Sequence, residues 1–197
     1  MKKMGKRTPA RKGFFSNYIF KLTLTLFLIT AIAAFLLSLV YGVTKDKIAE
    51  MTLLETKTAM ENVVPGDNVV FEDVENKGTE VTSISSATSG GKLLGYCVKV
   101  SPSGFGGAIS LIVGINTENV VTGVQIISHS ETVGLGAKAD SDSFMDQYKG
   151  LKSGISVVKG AVSKGDNSIS AITGATITSK AVTAGVNAAL KAVAAFS

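Results

Sequence analysis

Cysteine and histidine occur once each in these 197 residues, as Cys97 and His129, and tryptophan is absent. One thiol excludes an internal disulfide and an iron–sulfur cluster, which needs several thiolates, so a redox role would require another cofactor. A lone imidazole far from that thiol in sequence makes no zinc site of the usual kinds, and no structural metal is expected. Acidic residues are missing from the first 21 positions, which hold seven of the twenty Lys and Arg. The rest of the chain has 13 basic against 15 acidic residues, so the formal net charge of +5 belongs to the N-terminus and is no sign of nucleic-acid binding. There is no G-x-S-x-G elbow, no H-E-x-x-H helix and no serine–histidine pairing of recognisable spacing, which argues against a stand-alone hydrolase. No residue is expected to act as a catalyst on its own. The length suits one globular domain with an appendage.

The longest uncharged run is LTLTLFLITAIAAFLLSLVYGV, Leu22 to Val43, bracketed by Lys21 and Lys45. As a helix its 22 residues reach roughly 33 Å, enough to cross a hydrocarbon core. It exceeds the apolar stretch of a signal peptide, and no A-x-A cleavage site follows it. The flank before it is basic and carries Phe14, Phe15, Tyr18 and Phe20, whereas the other side opens on the mixed charges of TKDKIAE. Positive residues stay inside, which predicts a single-pass protein of the inner (plasma) membrane: residues 1–21 a cytoplasmic tail, 22–43 the transmembrane helix, and everything after it extracytoplasmic.

Residues 44–66 read as a juxtamembrane helix closed by Pro65-Gly66, with Ile48, Met51, Leu54, Thr58 and Met60 at roughly helical spacing. The extracytoplasmic domain then occupies 67–197. Its first part, to Lys92, is polar and reads as edge strand and loop. Three β-type runs follow at 93–100, 108–115 and 120–128, separated by SPSGFGG and NTEN. Connections this short predict antiparallel pairing, because a parallel crossover needs a dozen or more residues. Two shorter runs, ISVVKGAV and SISAIT, precede an Ala-rich helix from Ser179 to Phe196. The fold class is α+β: one transmembrane helix, then a domain built on a twisted antiparallel sheet with flanking helices.

Three stretches carry candidate chemistry. In SAITGATITSKAV a strand runs into Thr173-Gly174-Ala175-Thr176, and a helix leaves from about Thr178 or Ser179. Small residues let a ligand approach the backbone, and free N–H groups at a helix start favour an anion, so a Thr hydroxyl there can face a phosphate. Lys180 sits in the first turn, where the macrodipole disfavours a cation, and a bound phosphate relieves that conflict. Plain capping by Thr178 or Ser179 fits equally well. In ISHSETVGLGAK, Gly134 and Gly136 flank Leu135 and allow tight turns with exposed donors. His129 and Glu131 share a face as an acid–base pair only if the strand before them persists. GFGG at 104–107 reads as a hairpin turn that could also admit a flat ring, with Phe105 nearby.

Taken in order, the basic tail, the apolar run, the helix after it, GFGG, HSETVGLGAK, FMDQYKG and TGAT resemble the FMN-binding domain family of bacterial respiratory membrane complexes. The chain is most similar to the branch formed by the G subunit of the Rnf ion-translocating complex, with the C subunit of the sodium-translocating NADH:quinone reductase as a relative. The resemblance covers nearly the whole chain. In that family a dedicated flavin transferase joins the FMN phosphate to the last residue of a Ser/Thr-Gly-Ala-Thr motif. The resemblance therefore implies FMN bound covalently by a phosphoester to Thr176, with Thr173, Gly174, Ala175 and Lys180 around it. It further implies that Glu131, Thr132, Gly134, Leu135, Gly136 and Ala137 help to hold the isoalloxazine. Two positions depart from the family pattern: Val133 stands where proline is usual, and Ser170 where an aspartate is common, which bears on the efficiency of flavinylation. The implied function is that of a membrane-anchored electron-transfer subunit of a ferredoxin:NAD oxidoreductase, partnered by other membrane subunits and by the transferase. The alternatives are the quinone-reductase subunit, or a non-redox tethered binding domain in which TGAT only caps a helix.

Overall fold

The computed structural model describes residues 14–74, 81–163 and 165–195, so most of the basic tail and part of the expected edge-strand region lie outside the described residues. The chain divides into two compact units, Met1–Met51 and Thr52–Ser197. The described residues of the first are helical. Helix α1 covers Phe14–Val63; the apolar run lies on it, and so does the segment predicted to follow it as a helix, up to Val63, with residues 64–66 beyond its end. Every described side chain from Asn17 to Met51 is exposed, and the helix is long and apolar enough to cross a membrane. Thr23, Thr25 and Thr30 turn their hydroxyls back onto the carbonyls of Ile19 (2.9 Å), Lys21 (2.8 Å) and Leu26 (3.0 Å). Such bonds satisfy a polar group without water, which is how threonine is tolerated in an apolar helix.

In the second unit, strands β1 (Val70–Val74), β2 (Ser83–Ser89), β3 (Lys92–Val100), β4 (Ser110–Asn116) and β5 (Val121–Ser128) form an antiparallel sheet in chain order. Alternate residues face opposite sides, and both sides are covered. One carries Ile84, Val98, Val100, Leu111, Val113 and Ile115 into a core shared with Val182, Val186 and Leu190 of helix α3 (Thr176–Ala194). The other sets Ala87, Cys97 and Ile112 against Ala59, Val63 and Val64 at the end of α1.

Strands β6 (Ser156–Val158) and β7 (Ser168–Ser170) pair in parallel as a separate two-stranded sheet. This departs from antiparallel pairing because strands of three residues need a return path of only about 10 Å, which the nine residues between them cover. Between β5 and β6 the chain makes tight helical turns at Gly136–Asp140 and Asp146–Tyr148 around a short helix α2 (Asp142–Met145). The buried Tyr148 fastens this segment to α3: its hydroxyl is 2.8 Å from that of Thr183, and its ring meets the edge of Phe144 at 5.7 Å. Asn187 of α3 accepts the N–H groups of Gly154 and Ile155, both at 3.0 Å, and donates to the Ile155 carbonyl at 2.9 Å. These bonds hold the middle of α3 against the segment that runs from Tyr148 to Ile155.

Candidate functional site

Beyond β7 the chain reverses at Ile172–Ala175, where the Ala175 N–H donates to the Ile172 carbonyl at 2.9 Å and Gly174 adopts φ +81°. This is a type II turn, whose third position requires positive φ and therefore glycine. Helix α3 begins at Thr176, ahead of the start predicted at Thr178 or Ser179, and its N-cap residue Ala175 supplies no side-chain cap. Neither hydroxyl expected to cap the helix does so. Thr178 donates to Glu131 Oε2 at 2.6 Å. Ser179 accepts the Ile172 N–H and donates to the Ala175 carbonyl, both at 3.0 Å. The N–H groups of the first helical turn have no intrahelical acceptor, so this helix start is open to an anion. The Thr176 side chain is half-buried beside it.

Strand β5 ends at Ser128, and the loop after it turns Glu131 inward until the residue is 7% exposed. Its Oε1 accepts the Gly106 N–H at 2.9 Å, and its Oε2 takes the Thr178 hydroxyl. A Cβ on Gly104 would strike Oε1 and one on Gly136 would strike Oε2, so these two glycines leave the room that the carboxylate occupies. Burial raises the pKa of this carboxyl, but hydrogen bonds from Thr178, Gly106 and Phe105, with the charge of nearby His129, together hold it below its ordinary 4.5. The two side chains form no acid–base pair: the His129 Nδ1 accepts the backbone N–H of Glu131 at 3.2 Å, and the carboxylate is engaged by Thr178 and Gly106.

The segment GFGG is a hairpin turn, closed by the Ser103–Ala108 bridge and by the Gly104 N–H donating to the Gly107 carbonyl at 2.7 Å. It leaves the Phe105 ring exposed at the mouth of a cavity of about 360 Å³. Glu131, Thr132, Leu135, Gly136 and the run Gly174–Thr178 complete the lining. A second cavity, about 290 Å³, shares Gly174 and Thr176 with the first and adds Lys159, Gly160, Ile172 and Thr173.

Of the residues singled out in the sequence, Glu131, Thr132, Leu135, Gly136, Gly174, Ala175 and Thr176 meet in the first cavity, and Thr173 lines the second. Gly134, Ala137 and Lys180 line neither; Lys180 is exposed on α3, and Gly134, at φ +83°, shapes the turn that carries Leu135. Thr178 enters as the partner of Glu131 and not as a cap. Ile177 and Lys159 carry no motif; the one signal for Ile177 is an apolar side chain left exposed in the first turn of a helix. Chemically, the first cavity suits a flat, largely apolar ring, and the open helix start beside Thr176 suits a phosphate.

Residues 104–191 match the FMN-binding domain family. The chain is 42% identical over 188 residues to the G subunit of the Na(+)-translocating ferredoxin:NAD(+) oxidoreductase complex of Acetobacterium woodii, spanning 88% of this chain and 90% of that protein. It is 36% identical over 181 residues to the G subunit of the proton-translocating ferredoxin:NAD(+) oxidoreductase complex of Clostridium ljungdahlii, spanning 91% and 94%. Among solved structures it is similar to NqrC of Shewanella oneidensis, at a TM-score of 0.51 and 25% identity over 53% of each chain.

Proposed function

The chain belongs to the G-subunit family of ion-translocating oxidoreductase complexes, and from that premise we propose that it carries FMN, esterified through its phosphate to Thr176, as the membrane-anchored electron-transfer subunit of such a complex. The observation that supports the ester most directly is the position of Thr176: half-buried, first in a helix without a side-chain cap, and shared by both cavities. Phe105, Leu135 and Ile177 offer apolar surface to the ring, while the N–H groups at the start of α3 and the Lys159 ammonium offer positive charge to the phosphate. When bound, FMN supplies the one-electron and two-electron chemistry; the chain binds it, orients it and shields it from water. The remaining assignments follow from the same reading. Residues 22–43 span the inner membrane, 1–21 stay in the cytoplasm, 44–66 form the juxtamembrane helix, and 67–197 lie outside. Electrons enter from and leave to other membrane subunits of the complex.

Attachment requires a flavin transferase, which forms the Thr176 Oγ–P bond as a P–O bond of the flavin donor breaks and the hydroxyl proton is released. The test is expression in a host that has the transferase, followed by a denaturing gel viewed under ultraviolet light. The expected result is a fluorescent band for the full-length chain and none for Thr176→Val, with the variant still folded. A fluorescent Thr176→Val band would overturn the assignment of the ester. A dark band for the unaltered chain would favour the tethered non-redox binding domain.

A further inference from the structure

The cavity assigned to the flavin ring is lined by ten residues, of which Glu131 alone carries a formal charge. That charge is built in. The carboxylate is 7% exposed, each of its oxygens is fixed by a donor, at 2.9 Å from Gly106 and 2.6 Å from Thr178, and Gly104 and Gly136 close around it without a Cβ. Its hydrogen bonds keep it ionised below the usual carboxylate range despite burial. A side chain merely anchoring its own loop to the hairpin turn and to α3 needs no net charge. The amide of glutamine has the same shape and can accept from Gly106 while Thr178 turns to accept in its place.

On the reading that FMN occupies this cavity, we propose that Glu131 lowers the reduction potential of the flavin by holding a fixed negative charge beside it. Each electron that enters from an external reductant, which is oxidised by the same count, adds negative charge to the cavity. The carboxylate opposes that addition, and does so more strongly in a water-poor site than at the surface, because neither high dielectric nor salt screens it fully. Thr178 and Gly106 set how much of the charge is left uncompensated. His129 is a titratable side chain whose charge acts on Glu131, and its Nδ1 is engaged by the Glu131 N–H. Lys138 and Lys180 do not line the cavity.

The test is a dithionite titration of the flavinylated full-length protein in detergent micelles, with a redox dye of known potential in equilibrium with it, following the visible flavin absorbance. Glu131→Gln is expected to raise the ratio of reduced to oxidised flavin at a fixed potential by at least tenfold, equivalent to about 30 mV for a two-electron couple. Thr178→Val leaves the charge in place but removes a donor, and is expected to move the midpoint the opposite way. A purely structural role would shift neither midpoint, or both in one direction. An unchanged midpoint in fully loaded Glu131→Gln overturns the proposal. Should that variant fail to fold or load, the midpoint of Thr178→Val decides, and an unchanged or raised value overturns it. Failure of the FMN assignment is seen separately, as a dark gel band for the unaltered chain.

Discussion

A buried carboxylate is tolerated only when donors replace its water, and the effective penalty is otherwise several kcal/mol. Thr178 supplies one of those donors to Glu131 across 47 residues of sequence. Thr178→Val, which preserves the shape of the side chain, is therefore expected to cost about 1.5–3 kcal/mol in denaturant unfolding, the range for a hydrogen bond to a charged group. The same bond sets a pH dependence. Because the folded carboxyl ionises below its ordinary 4.5, its contribution is present above that value and lost as the pH falls through the lower folded value. Unfolding midpoints measured down the acid limb should fall less steeply in Thr178→Val than in the unaltered chain. Val133 works in the other direction. It is the second residue of a turn closed by the Leu135 N–H on the Thr132 carbonyl at 3.1 Å, with Gly134 at φ +83° in third place, and it is 91% exposed. Proline suits that position, so Val133→Pro should stabilise by about 0.4–1 kcal/mol through the unfolded state, read as a raised thermal midpoint.

Elements that alternate or repeat are legible in the sequence, whereas those governed by a single hydroxyl or a distant partner are not. Strands β3, β4 and β5 fall on the predicted runs because near-continuous stretches of β-branched and apolar residues record strands covered on both faces. Helix α3 starts earlier than its sequence suggests because Thr178 and Ser179 are good caps in isolation, and only tertiary contacts draw their hydroxyls to Glu131 and Ala175. The parallel pairing of β6 and β7 leaves no trace in a sequence of two three-residue strands. Helix α3 also shows where a local preference loses to packing. Alanine is favoured over glycine inside a helix by about 1 kcal/mol. At Gly185, however, a Cβ would lie 2.9 Å from the rigid ring of Pro102 and 3.1 Å from Val100 Cγ2. Overpacking of this kind costs about 1–3 kcal/mol, so Gly185→Ala is expected to be neutral to destabilising by up to about 2 kcal/mol in chemical denaturation, and never stabilising by the helix-propensity amount.

Across the whole molecule, the motifs TGAT, GFGG and HSETVGLGAK are visible singly in the sequence, but their meeting is not. GFGG and HSETVGLGAK are joined by the Gly106 N–H on Glu131, 25 residues apart, Thr178 just beyond TGAT reaches the same carboxylate from 47 residues away, and the second cavity recruits Lys159 from a loop with no motif. The orientation proposed for the two units rests on charge: seven basic and no acidic residues precede the apolar run, while the remainder carries 13 basic against 15 acidic. The single cysteine makes this orientation measurable. Cys97 is 1% exposed beneath the end of α1, and burial pushes its thiol up to about 12, so it lacks both the access and the thiolate that a maleimide needs. The unaltered chain should therefore stay unlabelled, and an added thiol reports alone. Ser153 is exposed in the loop before β6, outside both cavities. With Ser153→Cys, a membrane-impermeant maleimide should label intact spheroplasts to the same extent as lysed ones. Labelling that appears only after lysis would place the domain in the cytoplasm, and the basic flank would then have to be explained by something other than retention inside.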